Sequence, residues 1–139
     1  MQIHGSCVSK AGQGVLLLGP PGSGKSDLVL RLLARGFDLV ADDQVQIADG
    51  FARAPAPLAG LLEVRGLGIV QLPRVTEARL ALVVELGAGH RLPEPDLFGE
   101  LVLPRVWIDP VAASAPERVA LALDCALGQV TQVAGAFAA

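Results

Sequence analysis

The chain has 139 residues, of which 52% are hydrophobic and 18% charged, and its formal net charge is −3. A chain of this length is expected to form one domain and to hide roughly 70% of its surface on folding, which excludes extensive disorder. The mild negative charge and the lack of a basic run argue against a nucleic-acid-binding protein. Two cysteines are too few for a disulfide framework, and no apolar run approaches the ~20 residues of a membrane span. With no signal peptide at its start, the sequence predicts a cytoplasmic protein.

The first part of the chain predicts a strand, a loop, a helix and a second strand. Residues 3–19 are typical of two short strands joined by a glycine-bearing turn, and the apolar run at 15–18 indicates a strand buried on both faces. A helix follows, with Leu28, Leu32 and Leu33 on one face and Gly36 as its expected end. Residues 38–43 predict a buried strand that ends in two carboxylates. We expect a right-handed parallel unit over 15–43, with its two strands side by side.

The remaining elements complete a mixed α/β domain over residues 1–139. Asp49–Gly50 is typical of a hairpin turn, and Leu80–Leu86 of a further strand. A loop and an extended segment follow. The last predicted helix begins after Ser114, whose hydroxyl is the expected N-cap, with Glu117 completing a capping box three residues later.

The strongest motif is "GPPGSGKS", which matches the phosphate-loop pattern G-x-x-x-x-G-K-[ST] at every fixed position. Its predicted phosphate-binding residues are Gly19, Pro20, Pro21, Gly22, Ser23, Gly24, Lys25 and Ser26. Glycines let successive backbone N–H groups turn inward, and the following helix adds its positive N-terminal end. Lys25 would supply a charge for the β- and γ-phosphates of a nucleotide, and Ser26 a hydroxyl for Mg²⁺.

Carboxylates follow at positions where they could act on such a ligand. Asp42 and Asp43 end the second predicted strand, and ligands in open α/β sheets sit beyond the carboxyl ends of the strands. One aspartate could orient Mg²⁺ and the other accept a proton from an attacking hydroxyl. Glu63 and Arg65 interrupt an apolar run that also holds two glycines, which suits either an active-site loop or a surface ion pair. His4, on residue type alone, is more often a structural histidine.

Four segments, taken together and in this order, resemble a known bacterial family. The segments "IHGSCV", "GPPGSGKS", "LVADD" and "LLEVRGLGIV" are similar to those of the catalytic domain of HPr kinase/phosphorylase, and the resemblance covers residues 2–70. Members of that family phosphorylate a serine of HPr, the phosphocarrier protein of the sugar phosphotransferase system. The resemblance implies a phosphate-loop fold with a mixed sheet and few helices, ATP and Mg²⁺ as cofactors, and HPr as the protein substrate.

The resemblance also implies roles for individual residues. The catalytic set comprises His4, Lys25, Asp42, Asp43 and Arg91. Within this set, the resemblance implies that Asp43 corresponds to the acid/base aspartate of the family and Arg91 to an active-site arginine.

The metal ligands implied by the resemblance are Ser26 and Glu63.

Full-length members carry a further N-terminal domain, so the sequence is expected to be a truncated form consisting of the catalytic domain. The late loop that serves dephosphorylation in the family reads "LPRVWIDP" here, with Arg105 as its one cation. We therefore expect kinase activity, with phosphorylase activity in doubt.

Two other functions stay open on the residues alone: a small-molecule kinase with the same phosphate loop, and a non-enzymatic nucleotide-binding regulatory module. The resemblance to HPr kinase implies that the chain acts in the regulation of the phosphotransferase system and of carbon and nitrogen metabolism. A sensor kinase or another regulator as a second partner, and a homo-oligomeric state, are open as well, whereas no nucleic acid or membrane partner is expected.

Overall fold

The computed structural model describes residues 1–138, which form a nine-stranded mixed sheet, a separate two-stranded sheet made of Leu61–Val64 and Gly68–Gln71, and two helices that pack on one face of the large sheet. The strands are β1 (Gln2–His4), β2 (Ser6–Lys10), β3 (Gln13–Leu18), β4 (Asp38–Ala41), β5 (Gln44–Ala48), β6 (Phe51–Arg53), β7 (Leu61–Val64), β8 (Gly68–Gln71), β9 (Ala78–Leu86), β10 (Leu97–Phe98) and β11 (Leu103–Ile108). The helices are α1 (Lys25–Leu33) and α2 (Ala115–Ala126), and a 3-10 turn spans Ala56–Leu58. The predicted α/β class, a mixed sheet with few helices, is confirmed. No helix within these residues is both long and apolar enough to cross a membrane.

The centre of the sheet runs in the order β4, β2, β3, β9, and β11 pairs with the far edge of β9. Strands β3, β9 and β11 are parallel, whereas β2 is antiparallel to both of its neighbours. Strands β3 and β4 therefore run in the same direction, as predicted, but they are not side by side. The prediction of adjacent strands is wrong because β2 folds back onto β3 through the tight turn at Ala11–Gly12, where both residues have positive φ. That hairpin places β2 between β3 and β4.

Most predicted elements lie where the sequence placed them. The hairpin at Asp49–Gly50 joins β5 to β6, and the strand predicted at Leu80–Leu86 begins two residues earlier. Helix α1 ends at Leu33, and Gly36 follows with a φ of +91° and donates its N–H to the Leu33 carbonyl.

The predicted capping box of the last helix is wrong, although the helix itself is confirmed. Ser114 occupies the N-cap position without a side-chain capping bond, and its Oγ instead accepts a hydrogen bond from Arg118. Glu117 pairs with Arg35, which lies just after the end of α1, rather than turning back to Ser114. This ion pair thus replaces the local cap.

Two apolar clusters cover the opposite faces of the sheet, because side chains alternate along each strand. Leu17 and Leu82 belong to the cluster that packs against α1, α2 and the β7–β8 hairpin. Leu16 and Val83, one residue along the same strands, belong to the cluster on the other face. Cys7 also lies in that second cluster, and burial raises the pKa of its thiol to about 12.

This packing predicts a large difference between two leucine truncations. Leu82 is fully buried at the centre of the sheet, whereas Leu121 is exposed on α2. Leu82→Ala should lower the free energy of unfolding by about 2–5 kcal/mol, because it leaves a cavity in the core. Leu121→Ala should change it by less than about 0.5 kcal/mol. Urea denaturation of the two variants measures the difference, and equal losses would contradict this description of the core.

Candidate active site

The loop between β3 and α1 has the compact form that the phosphate-loop motif predicts. A Cβ at Gly19 would lie 2.6 Å from the Ser23 hydroxyl, so a larger residue there would displace the Ser23 side chain. Gly24 has a φ of +102° and is the N-cap of α1, a conformation that L side chains rarely adopt. The first turn of α1 therefore presents its free N–H groups at the loop, which favours binding of an anion.

Lys25 is held within this loop by its own backbone. Its Nζ donates hydrogen bonds to the carbonyl oxygens of Gly19 at 2.6 Å and Pro20 at 3.1 Å, and the residue is only 8% exposed. Burial lowers the pKa of Lys25, and the nearby negative charges of Asp42 and Asp43 act in the opposite direction. The loop thus holds a partly desolvated cation next to two carboxylates.

Asp42 is the buried carboxylate of the site, with 7% of its surface exposed. Its Oδ1 accepts a hydrogen bond of 2.6 Å from the Ser6 hydroxyl, and its Oδ2 one of 2.9 Å from the Ser26 hydroxyl. A buried charge is costly unless hydrogen bonds satisfy it, and these two donors do so. Sequence reasoning missed Ser6, because its closeness to Asp42 depends on the position of β2 next to β4.

Asp43 and His4 form a second, more accessible pair. His4 Nε2 lies 3.1 Å from Asp43 Oδ1, and the two side chains are 46% and 65% exposed. The backbone joins them as well, since the Gly5 N–H donates to the Asp43 carbonyl at 3.1 Å. Asp43 itself has a φ of +71°, which an aspartate tolerates better than most residues. The structure therefore brings together residues from the first and the third of the four family segments.

The phosphate loop and both aspartates face an open cleft of about 830 Å³. The β7–β8 hairpin forms its other wall, and Glu63 and Arg65 of this hairpin line the cleft and are exposed. They form no ion pair with each other within the described residues. The hairpin thus adds one charge of each sign to the wall opposite Lys25.

Arg91 is the one predicted catalytic residue that the structure does not bring to the cleft. It lies exposed in the loop between β9 and β10, and the lining of the cleft does not include it. The other predicted site residues are gathered around the phosphate loop.

The oxygen donors of the cleft fit a magnesium site with few protein ligands. Residues 1–138 contain no cluster of three His, Cys, Asp or Glu side chains of the kind that cages a metal ion. Mg²⁺ in nucleotide sites, however, is held by one or two carboxylates together with phosphates and water. The hydroxyl of Ser26, the adjoining carboxylate of Asp42 and the carboxylate of Glu63 in the same cleft are hard oxygen donors of that type.

Comparison with known families gives the context of this cleft. The statistical model of the family described as HPr Serine kinase C-terminal domain matches residues 1–87 of the chain. The chain belongs to this family. Every residue that lines the cleft falls within the part of the chain that the HPr kinase domain model matches.

Individual relatives extend the likeness beyond the matched residues. The HPr kinase/phosphorylase of Clostridium novyi is 46% identical over 76 residues, which are 52% of this chain and 25% of that protein. That of Cupriavidus metallidurans is 32% identical over 142 residues, or 90% of this chain and 44% of the relative. The chain therefore spans less than half the length of these HPr kinase relatives.

A solved structure supports the fold. The Hpr(Ser) kinase/phosphatase from Coxiella burnetii superposes with a TM-score of 0.76 and 22% sequence identity, over 93% of this chain and 92% of that one. At this identity the likeness shows that the two chains share the HPr kinase domain fold.

The tight junction between His4 and Ser6 leads to a prediction for Gly5. A Cβ there would lie 2.9 Å from the Leu17 carbonyl oxygen and 2.9 Å from Leu18 Cδ2, and the backbone oxygen cannot move aside. Gly5→Ala should lower the free energy of unfolding by about 1–3 kcal/mol through this overpacking.

Gly99→Ala is the matched control, since nothing lies within 4 Å of a Cβ at Gly99. It should change the free energy of unfolding by less than about 0.5 kcal/mol. Thermal and urea unfolding of both variants provide the comparison. A Gly5→Ala protein as stable as the wild type would show that the junction is looser than the structure indicates.

Proposed function

We propose that this chain is an ATP-dependent protein kinase that phosphorylates a serine of HPr. The observation that carries the proposal is the pairing of two differently placed aspartates with one phosphate loop. Asp42 is buried against Ser26 of the loop, whereas Asp43 stands exposed beside His4 at the mouth of the same cleft. Family membership and the names of the relatives support HPr as the acceptor.

The phosphate loop would hold the nucleotide. Inward N–H groups of the loop and of the first turn of α1 would bind the phosphates, and Lys25 would stabilise charge on the transferred phosphoryl group. Ser26 and Asp42 would hold Mg²⁺, with Glu63 of the facing hairpin as a further ligand. When bound, Mg²⁺ neutralises charge on the β- and γ-phosphates.

Asp43 is the aspartate suited to act on the acceptor serine. Both oxygens of Asp42 already accept hydrogen bonds from hydroxyl groups inside the protein, whereas Asp43 is open to the cleft. In the proposed reaction, Asp43 accepts the proton of the serine hydroxyl as the serine oxygen takes the γ-phosphoryl group and ADP leaves. His4 keeps the Asp43 carboxylate oriented toward the cleft.

Several further properties remain predictions that rest on the sequence. They are a single catalytic domain, a role for Arg91, a second regulatory partner, a homo-oligomer and a cytoplasmic location.

A labelling experiment tests the proposed function against its two alternatives. The protein is incubated with γ-labelled ATP and Mg²⁺, first with purified HPr, then with small hydroxyl acceptors, and then alone, with Lys25→Ala as the blank in each case. Label on a serine of HPr that is lost in Lys25→Ala supports the proposal. Label on a small acceptor would indicate a small-molecule kinase, and nucleotide binding without transfer would indicate a regulatory module.

The two aspartates should respond differently to the loss of charge. Asp43→Asn should lower the rate of phosphoryl transfer by about 10²–10⁴-fold, the usual contribution of a positioned acid/base group, and leave ATP binding nearly unchanged. Asp42→Asn should instead raise the Mg²⁺ concentration needed for binding. Single-turnover transfer and calorimetric titration with Mg²⁺-ATP separate the two effects.

Asp38→Asn is the control for these variants, because Asp38 is an exposed aspartate at the opposite end of β4. It should transfer phosphate at the wild-type rate. A larger loss of transfer rate in Asp42→Asn than in Asp43→Asn would reverse the roles assigned to the two carboxylates.

Dephosphorylation of phosphoserine-HPr by inorganic phosphate would require cations that bind this second anion in the cleft. Arg105 of β11, the cation retained from the family's late loop, donates to Asp96 at 2.9 Å and lies 3.8 Å from Glu85. Its guanidinium also lies over the ring of Phe98, and it does not line the cleft. Two carboxylates thus neutralise this arginine, which supports a kinase without efficient phosphorylase activity.

Accordingly, we predict slow dephosphorylation. With phosphoserine-HPr, Mg²⁺ and inorganic phosphate supplied, pyrophosphate should form much more slowly than HPr is phosphorylated under matched conditions. The control is Arg105→Lys, which should leave the forward kinase rate unchanged. Pyrophosphate release as fast as the forward reaction would show that cations of the cleft itself, such as Arg65, suffice for phosphorolysis.

A further inference from the structure

Ser6 is a fully buried serine at the start of β2, the strand that lies between the phosphate-loop strand and the strand leading to Asp42. In the register of the sheet, Ser6 is opposite Leu17 of β3, and its neighbour Cys7 is opposite Ala41 of β4. Because β2 is antiparallel to both strands, its first residue lies at their carboxyl ends. Ser6 therefore reaches the edge of the sheet where the cleft is, although it follows Gly5 rather than a recognised motif.

The hydrogen bonds of Asp42 divide between its two oxygens. Ser6 donates its proton to Oδ1 at 2.6 Å, a distance typical of a strong bond between a hydroxyl and a carboxylate. Ser26 lies 2.9 Å from Oδ2 and 3.2 Å from Oδ1, and its single proton is best placed for Oδ2. Each oxygen is thus held by a hydroxyl from a different element, and the plane of the carboxylate is fixed.

The hydrogen bond to Asp42 determines which lone pairs of the Ser26 hydroxyl can bind a cation. A hydroxyl has one proton to donate and two lone pairs. When the Ser26 proton is committed to Asp42, the lone pairs of its oxygen remain available to a cation. The orientation of the Asp42 carboxylate therefore decides whether Ser26 can serve as a metal ligand, and Ser6 fixes that orientation.

We propose that Ser6 is a positioning residue for the magnesium side of the cleft: it acts through Asp42 on Ser26 and contacts neither metal nor nucleotide. This assignment rests on the proposed function, since it concerns binding of Mg²⁺-ATP at Ser26 and Asp42. Groups that orient metal ligands commonly affect metal affinity by about 10–100-fold, even though they do not touch the metal.

Ser9 provides a matched control for Ser6. It is a fully buried serine on the same strand, and its hydroxyl has no hydrogen-bond partner within the described residues. It is opposite Gly14 and Asp38, at the end of β2 away from the cleft. Substitution of either serine by alanine removes one buried oxygen from β2, but only Ser6→Ala removes a donor to Asp42.

The test is calorimetric titration of wild type, Ser6→Ala and Ser9→Ala with ATP, once with excess Mg²⁺ and once with EDTA. Ser6→Ala should bind ATP about 10–100-fold more weakly than the wild type in Mg²⁺ and equally well in EDTA. Ser9→Ala should match the wild type in both conditions. Circular dichroism verifies folding, and if Ser6→Ala does not fold, Ser6→Cys carries the same comparison with a similar size and a weaker donor.

The outcomes distinguish this assignment from the proposed function. Wild-type affinity in Mg²⁺ for Ser6→Ala, or an equal loss of affinity with and without Mg²⁺, would overturn the role of Ser6 while nucleotide binding by the wild type still supports the kinase. A wild-type protein that binds no Mg²⁺-ATP would overturn the proposed function and the role of Ser6 together. A loss of ATP affinity that is seen only in Ser6→Ala, and only when Mg²⁺ is present, supports the assignment.

Discussion

The buried carboxylate of Asp42 requires hydrogen-bond donors, and the residues that supply them bring the elements of the cleft together. Asp42 is almost fully enclosed, and a charge in that position persists only with hydrogen-bond donors on its oxygens. One donor comes from Ser6 on β2 and the other from Ser26 on α1, so three elements that are distant in sequence meet at this side chain. The insertion of β2 between β3 and β4 makes this contact geometrically available.

Burial separates two adjacent aspartates that the sequence cannot distinguish. Asp42 points into the protein and accepts a hydrogen bond on each oxygen, whereas the carboxylate of Asp43 faces solvent beside His4. The positive φ of Asp43 turns the chain between them. A carboxylate engaged with hydroxyl groups suits cation binding, and an accessible one beside an imidazole suits proton transfer. The same pair of residues can thereby serve two tasks in phosphoryl transfer.

The sequence predicted those features that depend on local chemistry. The spacing of glycines around Lys25 imposes the loop, and the apolar periodicity that follows imposes α1, so both were predictable from a short window. Strand order depends instead on which strand pairs with each edge of β3, and burial patterns identify a strand without identifying its neighbours. For that reason the position of β2, and with it the role of Ser6, needed the structure. The capping box at Ser114 failed for a related reason, since a tertiary ion pair took Glu117 away from the local bond.

Every role proposed for the cleft residues requires that the cleft binds Mg²⁺-ATP with its phosphates on the loop. The most direct measurement is a crystal structure with Mg²⁺ and a non-hydrolysable ATP analogue. It should show the β- and γ-phosphates at the N–H groups of the loop and of α1, with Mg²⁺ on the side of Ser26 and Asp42, and Asp43 facing the γ-phosphate. Phosphates bound away from the loop, or a metal ion held at Asp43 with Asp42 still enclosed, would contradict these roles.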